Sequence, residues 1–266
     1  MLKFEIRRYI FNNYKKLIVS FFILILLSFY SLSSIPYLYL PDGANINFGD
    51  YLVGELNMIQ LIMFIAYPSI FSFLTANLIR KDFEDNYIEL IFSRSKNKFS
   101  YLLNKFILLF IISICFTVVI VFLKFIISLI LKISFTNNCY NYVFATLKYD
   151  SVYEVYFCNI ILFTIGLIFI GMVSLLLSIY IKNSGFTIGV VIFLGFLHNA
   201  VFMSGGKFIY LLPFTQYILI LHRECGSILT NFTLTFSYIY MIAIIVLSFF
   251  IILRALNKKE TGDFLI

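Results

Sequence analysis

The sequence predicts an all-α integral membrane protein with six transmembrane helices, and three observations predict it. The chain of 266 residues is 62% hydrophobic and only 12% charged, with a mean hydropathy of +0.99. A soluble domain sits near half apolar and a quarter charged. Six apolar runs, at 17–35, 56–79, 106–131, 157–181, 186–203 and 235–253, are each long enough to cross roughly 30 Å of hydrocarbon as a helix. The basic residues gather on one side of those runs. No hydrophilic block is long enough for a separate domain, so residues 1–266 are read as a single transmembrane unit.

Ahead of the first run, "MLKFEIRRYIFNNYKK" mixes five basic residues with Leu2, Ile6, Tyr9 and Ile10, which with Leu17 recur at helical spacing. This predicts a helix lying in the headgroup layer before the chain turns into the membrane. The plainer alternative is a ragged basic flank. Lys and Arg ahead of an apolar stretch also resemble a secretory signal, but the run is long and lacks an A-x-A site, which favours a retained span.

Lys and Arg favour the cytoplasmic side. With the N-terminus inside, residues 1–16, 80–105, Lys182 and 254–266 place fifteen basic residues there, and the opposite loops hold Lys132, Lys148, Lys207 and Arg223. Both termini are therefore expected in the cytoplasm. The net charge of +7 follows from this asymmetry and from attraction to anionic lipid, and no nucleic-acid partner is expected. Lys124, within the third run, is expected near the outer interface, where it can snorkel.

Between the second and third runs lies "RKDFEDNYIELIFSRSKNKFSYLLNK", residues 80–105, the most charged stretch of the chain. Phe83, Tyr87, Leu90 and Ile91 form one helical stripe, with Asp82, Asp85 and Glu89 off it. Acids precede Arg94, Lys96 and Lys98, the order that suits a helix dipole. A short amphipathic cytoplasmic helix and an ordinary solvated loop both fit this pattern.

The stretch resembles the permease subunits of type 2 ATP-binding-cassette exporters. Their motif after span two runs Glu, a short gap, Gly-Thr, an apolar residue, Glu, three apolar residues and a Pro-containing turn, with a Lys opening span three. Here Glu84, the core Ile88-Glu89-Leu90-Ile91-Phe92 and Lys105 match in place, whereas Asn86 stands at the Gly, Tyr87 at the Thr and Ser95 at the Pro. The resemblance implies a coupling helix that docks onto an ATPase, carried by Phe83, Glu84, Asn86, Tyr87, Glu89, Leu90, Ile91 and Arg94. It also implies a re-entrant outer hairpin at "LLPFTQY", with Pro213 and Phe214 at its tip. Partners would be a separate ABC ATPase, which binds ATP and Mg, and a second permease copy or paralogue. The setting would be a prokaryotic plasma membrane. Export of an amphipathic substrate is expected, an antimicrobial or bacteriocin-like peptide among the candidates.

The chain has no G-x-x-x-x-G-K-[ST] with which to cradle phosphates itself, so it carries no cofactor and no catalytic residues in this reading. The alternative is an ion-coupled secondary transporter or channel, which usually needs ionisable groups near the midplane; no acid falls inside the six runs. A membrane-embedded enzyme is a further alternative, yet the chain has only His198 and His222, with no H-E-x-x-H and no G-x-S-x-G. His198 and Asn199 are candidates to line a conduit, although packed, hydrogen-bonded side chains are the plainer expectation. Cys115, Cys139, Cys158 and Cys225 lack metal spacing, and free thiols are favoured over a Cys139–Cys158 disulfide.

Overall fold

The computed structural model describes residues 2–39, 46–85, 98–135, 152–181, 183–205, 209–222 and 232–258. These form α1 (Leu2–Tyr39), α2 (Phe48–Leu56), a π-helix (Ile59–Ala66), α3 (Tyr67–Thr75), α4 (Arg80–Glu84), α5 (Lys98–Ile130), α6 (Val152–Tyr180), α7 (Ser184–Met203) and α8 (Leu234–Lys258). Short 3-10 turns occupy Ile209–Leu211, Pro213–Thr215 and Leu219–Leu221. Among the described residues there are no strands, only a single bridge between Asn47 and Ser134. Six stretches are long and apolar enough to cross a membrane, so the chain is a multi-pass membrane protein.

The start of the chain differs from the expectation. No turn separates a headgroup-level helix from the first span: α1 is one rod of 38 residues, about 57 Å long at 1.5 Å per residue. Residues 2–35 contain neither Gly nor Pro, so nothing in them breaks the helix. The rod buries a polar stripe at helical spacing (Glu5, Tyr9, Asn13, Ser20, Ser28, Ser31) and exposes Phe11, Phe22 and Leu26. Polar groups inside and hydrocarbon outside is the arrangement a bilayer favours.

Residues 36–55 are expected to be an outside loop, but 48–56 form α2, with eight of its nine residues buried. Asn47 caps it, its Oδ1 accepting from Asp50 N at 2.8 Å, and Phe48 N donates to Ser134 O at 2.9 Å. That places α2 against the far end of α5.

The second span is composite. In its π-helical part Met63 N donates to Met58 O at 3.1 Å, and Tyr67 N donates to Ile62 O, five residues back in the chain. The Met63 carbonyl thereby loses its α-helical donor, and the Tyr217 hydroxyl supplies one at 2.6 Å. Pro68 has no N–H for the Phe64 carbonyl, and Gly195 of α7 packs onto that oxygen so closely that a Cβ would collide with it. Wide winding therefore sits where an outside hydroxyl serves the freed Met63 carbonyl.

Candidate functional site

Lys105, near the start of α5, is buried, 2% exposed. Its Nζ lies 2.7 Å from Glu5 Oε2 of α1 and 2.5 Å from Asp82 Oδ2 of α4. Asp82, also 2% exposed, accepts from Tyr101 OH at 2.8 Å through Oδ2 and from Arg8 Nη1 at 2.5 Å through Oδ1. Arg8 Nη2 reaches on to Asp85 Oδ2 at 2.7 Å. One carboxylate on a helix of five residues thus ties together the first and third spans. Breaking such a buried pair from one side costs about 3–5 kcal/mol, so the three elements are held as one body at this end. The other chain end arrives here too, since Lys98 Nζ donates to Leu256 O at 2.9 Å.

The sequence reading leaves Asp82 off the apolar stripe and gives it no partner. The structure makes it the hub, because Arg8 and Lys105 supply opposite charge from elements distant in sequence. Phe83 is also placed differently from the docking face predicted for it. It is 9% exposed and belongs to the core, since α4 turns this edge toward the chain's own spans. Glu84 points outward and pairs with Arg80 at 2.9 Å. Asn86, Tyr87, Glu89, Leu90, Ile91 and Arg94 lie outside the described residues.

A second buried network sits at the other end. Lys124 is 0% exposed, so it does not snorkel. Its Nζ is 2.6 Å from Glu55 Oε2, 2.9 Å from Tyr51 O and 3.9 Å from the centre of the Tyr51 ring. Ser31 donates to the same Glu55 oxygen and Tyr67 donates to Oε1. The carboxylate is satisfied on both oxygens, which compensates its removal from water. Burial first, and then the Glu55 charge, push the Tyr51 hydroxyl above its usual range. The sequence reading counts no acid within a span because Glu55 falls one residue before the second run. A lysine stranded in an apolar run was the signal that a counter-charge had to arrive.

The remaining candidates come together in a third place. His198 is 8% exposed and stacks on Phe214 at 4.3 Å, so the conduit and hairpin candidates are neighbours. His198 Nδ1 meets Leu194 O at 2.6 Å, whereas His198 Nε2 and Asn199 Oδ1 have no hydrogen-bond partner among the described residues. Pro213 opens the 3-10 turn that carries Phe214, and Phe214 to Leu219 are buried. Tyr217 is wedged between the Met63 carbonyl and Gly166, where a Cβ would strike its ring. His222 is paired through Nε2 with Ser237 Oγ at 2.7 Å, and Ser237 donates to Gln216 at 2.8 Å. Cys115 and Cys158 are free thiols, and Cys139 and Cys225 lie outside the described residues.

The two ionic networks tie helices together across the bundle. Among the described residues no group of three His, Cys, Asp or Glu side chains is placed to hold a metal. No curated protein gives a significant match to the chain. Residues 17–261 match the model of DUF2705, described as a protein of unknown function. That match covers all of α2 to α8 and α1 from Leu17 onward, and the chain belongs to the DUF2705 family.

Proposed function

We propose that the chain is the membrane-spanning permease subunit of an ATP-binding-cassette exporter, with both termini in the cytoplasm of a prokaryotic cell. The observation that carries this reading is the Asp82 hub. The short helix α4, at the head of the stretch that resembles a coupling helix, is ionically locked to α1 and α5. A separate ATPase that binds ATP and Mg would push on residues 80–98, and the lock would pass that displacement to the first and third spans. Tyr87, Leu90 and Ile91 then supply the apolar docking edge, with Glu84, Glu89 and Arg94 setting register. A second permease, identical or not, completes the path. The 3-10 turns at 209–221, buried from Phe214 to Leu219, support a re-entrant hairpin, because irregular backbone is tolerated at membrane depth where protein shields it. The expected cargo is amphipathic, an antimicrobial or bacteriocin-like peptide being the leading class.

Purification of the chain in mild detergent tests this. A co-purifying ABC ATPase supports the proposal. Association that survives charge reversal at both Glu84 and Glu89, or an active chain with no ATPase, overturns it.

One observation favours a second reading, an ion-coupled carrier. Glu55 and Lys124 supply the buried ionisable pair such a carrier uses. Transport in proteoliposomes that follows a proton or sodium gradient without ATP, and is lost in Glu55→Gln, decides for the carrier.

A further inference from the structure

An apolar groove of about 360 Å³ lies between α1, α3 and α5, a volume in the range of ligand sites. Its α1 wall runs from Ile6 to Leu24 and its α5 wall from Leu108 to Val119, so it follows the helix axes for roughly 16–27 Å at 1.5 Å per residue. Two small side chains line it among larger ones. Ser20 is buried with its hydroxyl unbonded, and Cys115 is an exposed free thiol. Tyr9 and Leu108 line both this groove and a polar recess at the basic end, so the two are contiguous.

The recess has a volume of about 20 Å³, room for about one water, and a larger head group must sit at its mouth. Arg8 and Lys105 are neutralised there by Asp82 and Glu5. Lys81 also lines it, half-buried, with no carboxylate partner among the described residues, and Lys16 follows one turn of α1 beyond Asn12, which lines the recess. Lys16 Nζ has only the Phe73 carbonyl, at 3.2 Å, and the Phe73 ring. Two lysines in no ion pair among the described residues, beside a hydrocarbon groove, are complementary to an amphiphile with an anionic head.

The geometry points to a site for one anionic phospholipid of the surrounding bilayer, an acyl chain along the α1–α5 groove and its phosphate against Lys16 and Lys81. The lining excludes a polar occupant from the groove, and basic pockets between spans take acidic head groups. Asn12, half-buried at the recess, is placed to donate to the phosphate, and the unbonded Glu5 Oε1 accepts from a water or a glycerol hydroxyl. The assignment uses only the membrane spans and the basic end, and it goes beyond the exporter proposal without resting on it.

Native mass spectrometry of the purified full chain, offered equal phosphatidylglycerol and phosphatidylcholine, tests it. One retained phospholipid per chain is expected, with phosphatidylglycerol preferred roughly tenfold, a preference two lysines near the head group can supply. The double variant Lys16→Ala, Lys81→Ala should retain both lipids equally, and Cys115→Trp, which fills the groove, should retain neither. If Cys115→Trp does not fold, alkylation of Cys115 in the native chain replaces it, with slowing by phosphatidylglycerol but not phosphatidylcholine expected. Equal retention by the native chain, a preference that survives loss of both lysines, or a chain dimer that Cys115→Trp dissociates would overturn the site. The last outcome would mean that a second copy covers the groove.

Discussion

Glu55 and Lys124, 69 positions apart in the chain, meet at 2.6 Å with no exposed side-chain surface on either. On the same helix Lys105 meets Glu5 at 2.7 Å. The two lysines are about 28 Å apart along α5 at 1.5 Å per residue, close to the thickness of the hydrocarbon layer. α5 is therefore fastened near each end of a span by a buried ion pair.

Lys124→Met should destabilise the chain by about 3–5 kcal/mol, because Glu55 is left charged and uncompensated. Adding Glu55→Gln should recover much of that loss. Unfolding of the single and double variants in detergent measures the coupling. Losses in the two single variants that simply add up in the double would mean that the residues do not act as a pair.

Asp82→Asn removes the charge that Arg8 and Lys105 both face. A loss of about 3–5 kcal/mol in unfolding is expected, whereas Glu84→Gln, on the exposed i,i+4 pair with Arg80, should cost under about 0.5 kcal/mol. If an ATPase co-purifies, Asp82→Asn should keep it bound yet lower cargo-stimulated ATP hydrolysis.

The glycines separate packing from propensity. Gly195→Ala and Gly166→Ala drive a methyl into the Phe64 carbonyl and the Tyr217 ring respectively, and about 1–3 kcal/mol of overpacking is expected for each. Gly189→Ala meets nothing within 4 Å and should be neutral or stabilising by up to about 1 kcal/mol. Thermal unfolding of the three variants checks the order.

Tyr51 and Tyr217 are pushed up in pKa by burial, Tyr51 also by Glu55. Below about pH 10 tyrosine is protonated both folded and unfolded, and this stability is whole. As pH rises beyond that, the unfolded chain ionises first, so stability falls toward the raised native values. Difference absorbance should show both rings ionising only as the protein unfolds. Phe in place of either should reduce the alkaline loss.

Five of the runs read from hydropathy fall almost wholly within single helices, α1 and α5 to α8. Length and polarity suffice to locate them, because a span satisfies its own backbone. The helices reach further than the runs: α5 begins at Lys98, not 106, since Tyr101 and Lys105 face inward and are paired. The joints were not legible in the same way. α2 is nine residues long with two acids, too short and too polar to register as a membrane element. Its place follows from Lys124, which lies far off in the sequence. Phe83 shows the limit of periodicity. A helical stripe does not say whether its own chain or another covers it.

The π-helix at Ile59–Ala66 lies between the two ionic fastenings, with Glu55 before it and Asp82 after it. A loosely coiled stretch is a store of slack. Tightening a single loop of it would screw everything downstream, Asp82 included, forward and around relative to Glu55, and the Tyr217 hydroxyl would lose its grip on Met63. A change in the winding of the second span would therefore be felt at both fastenings.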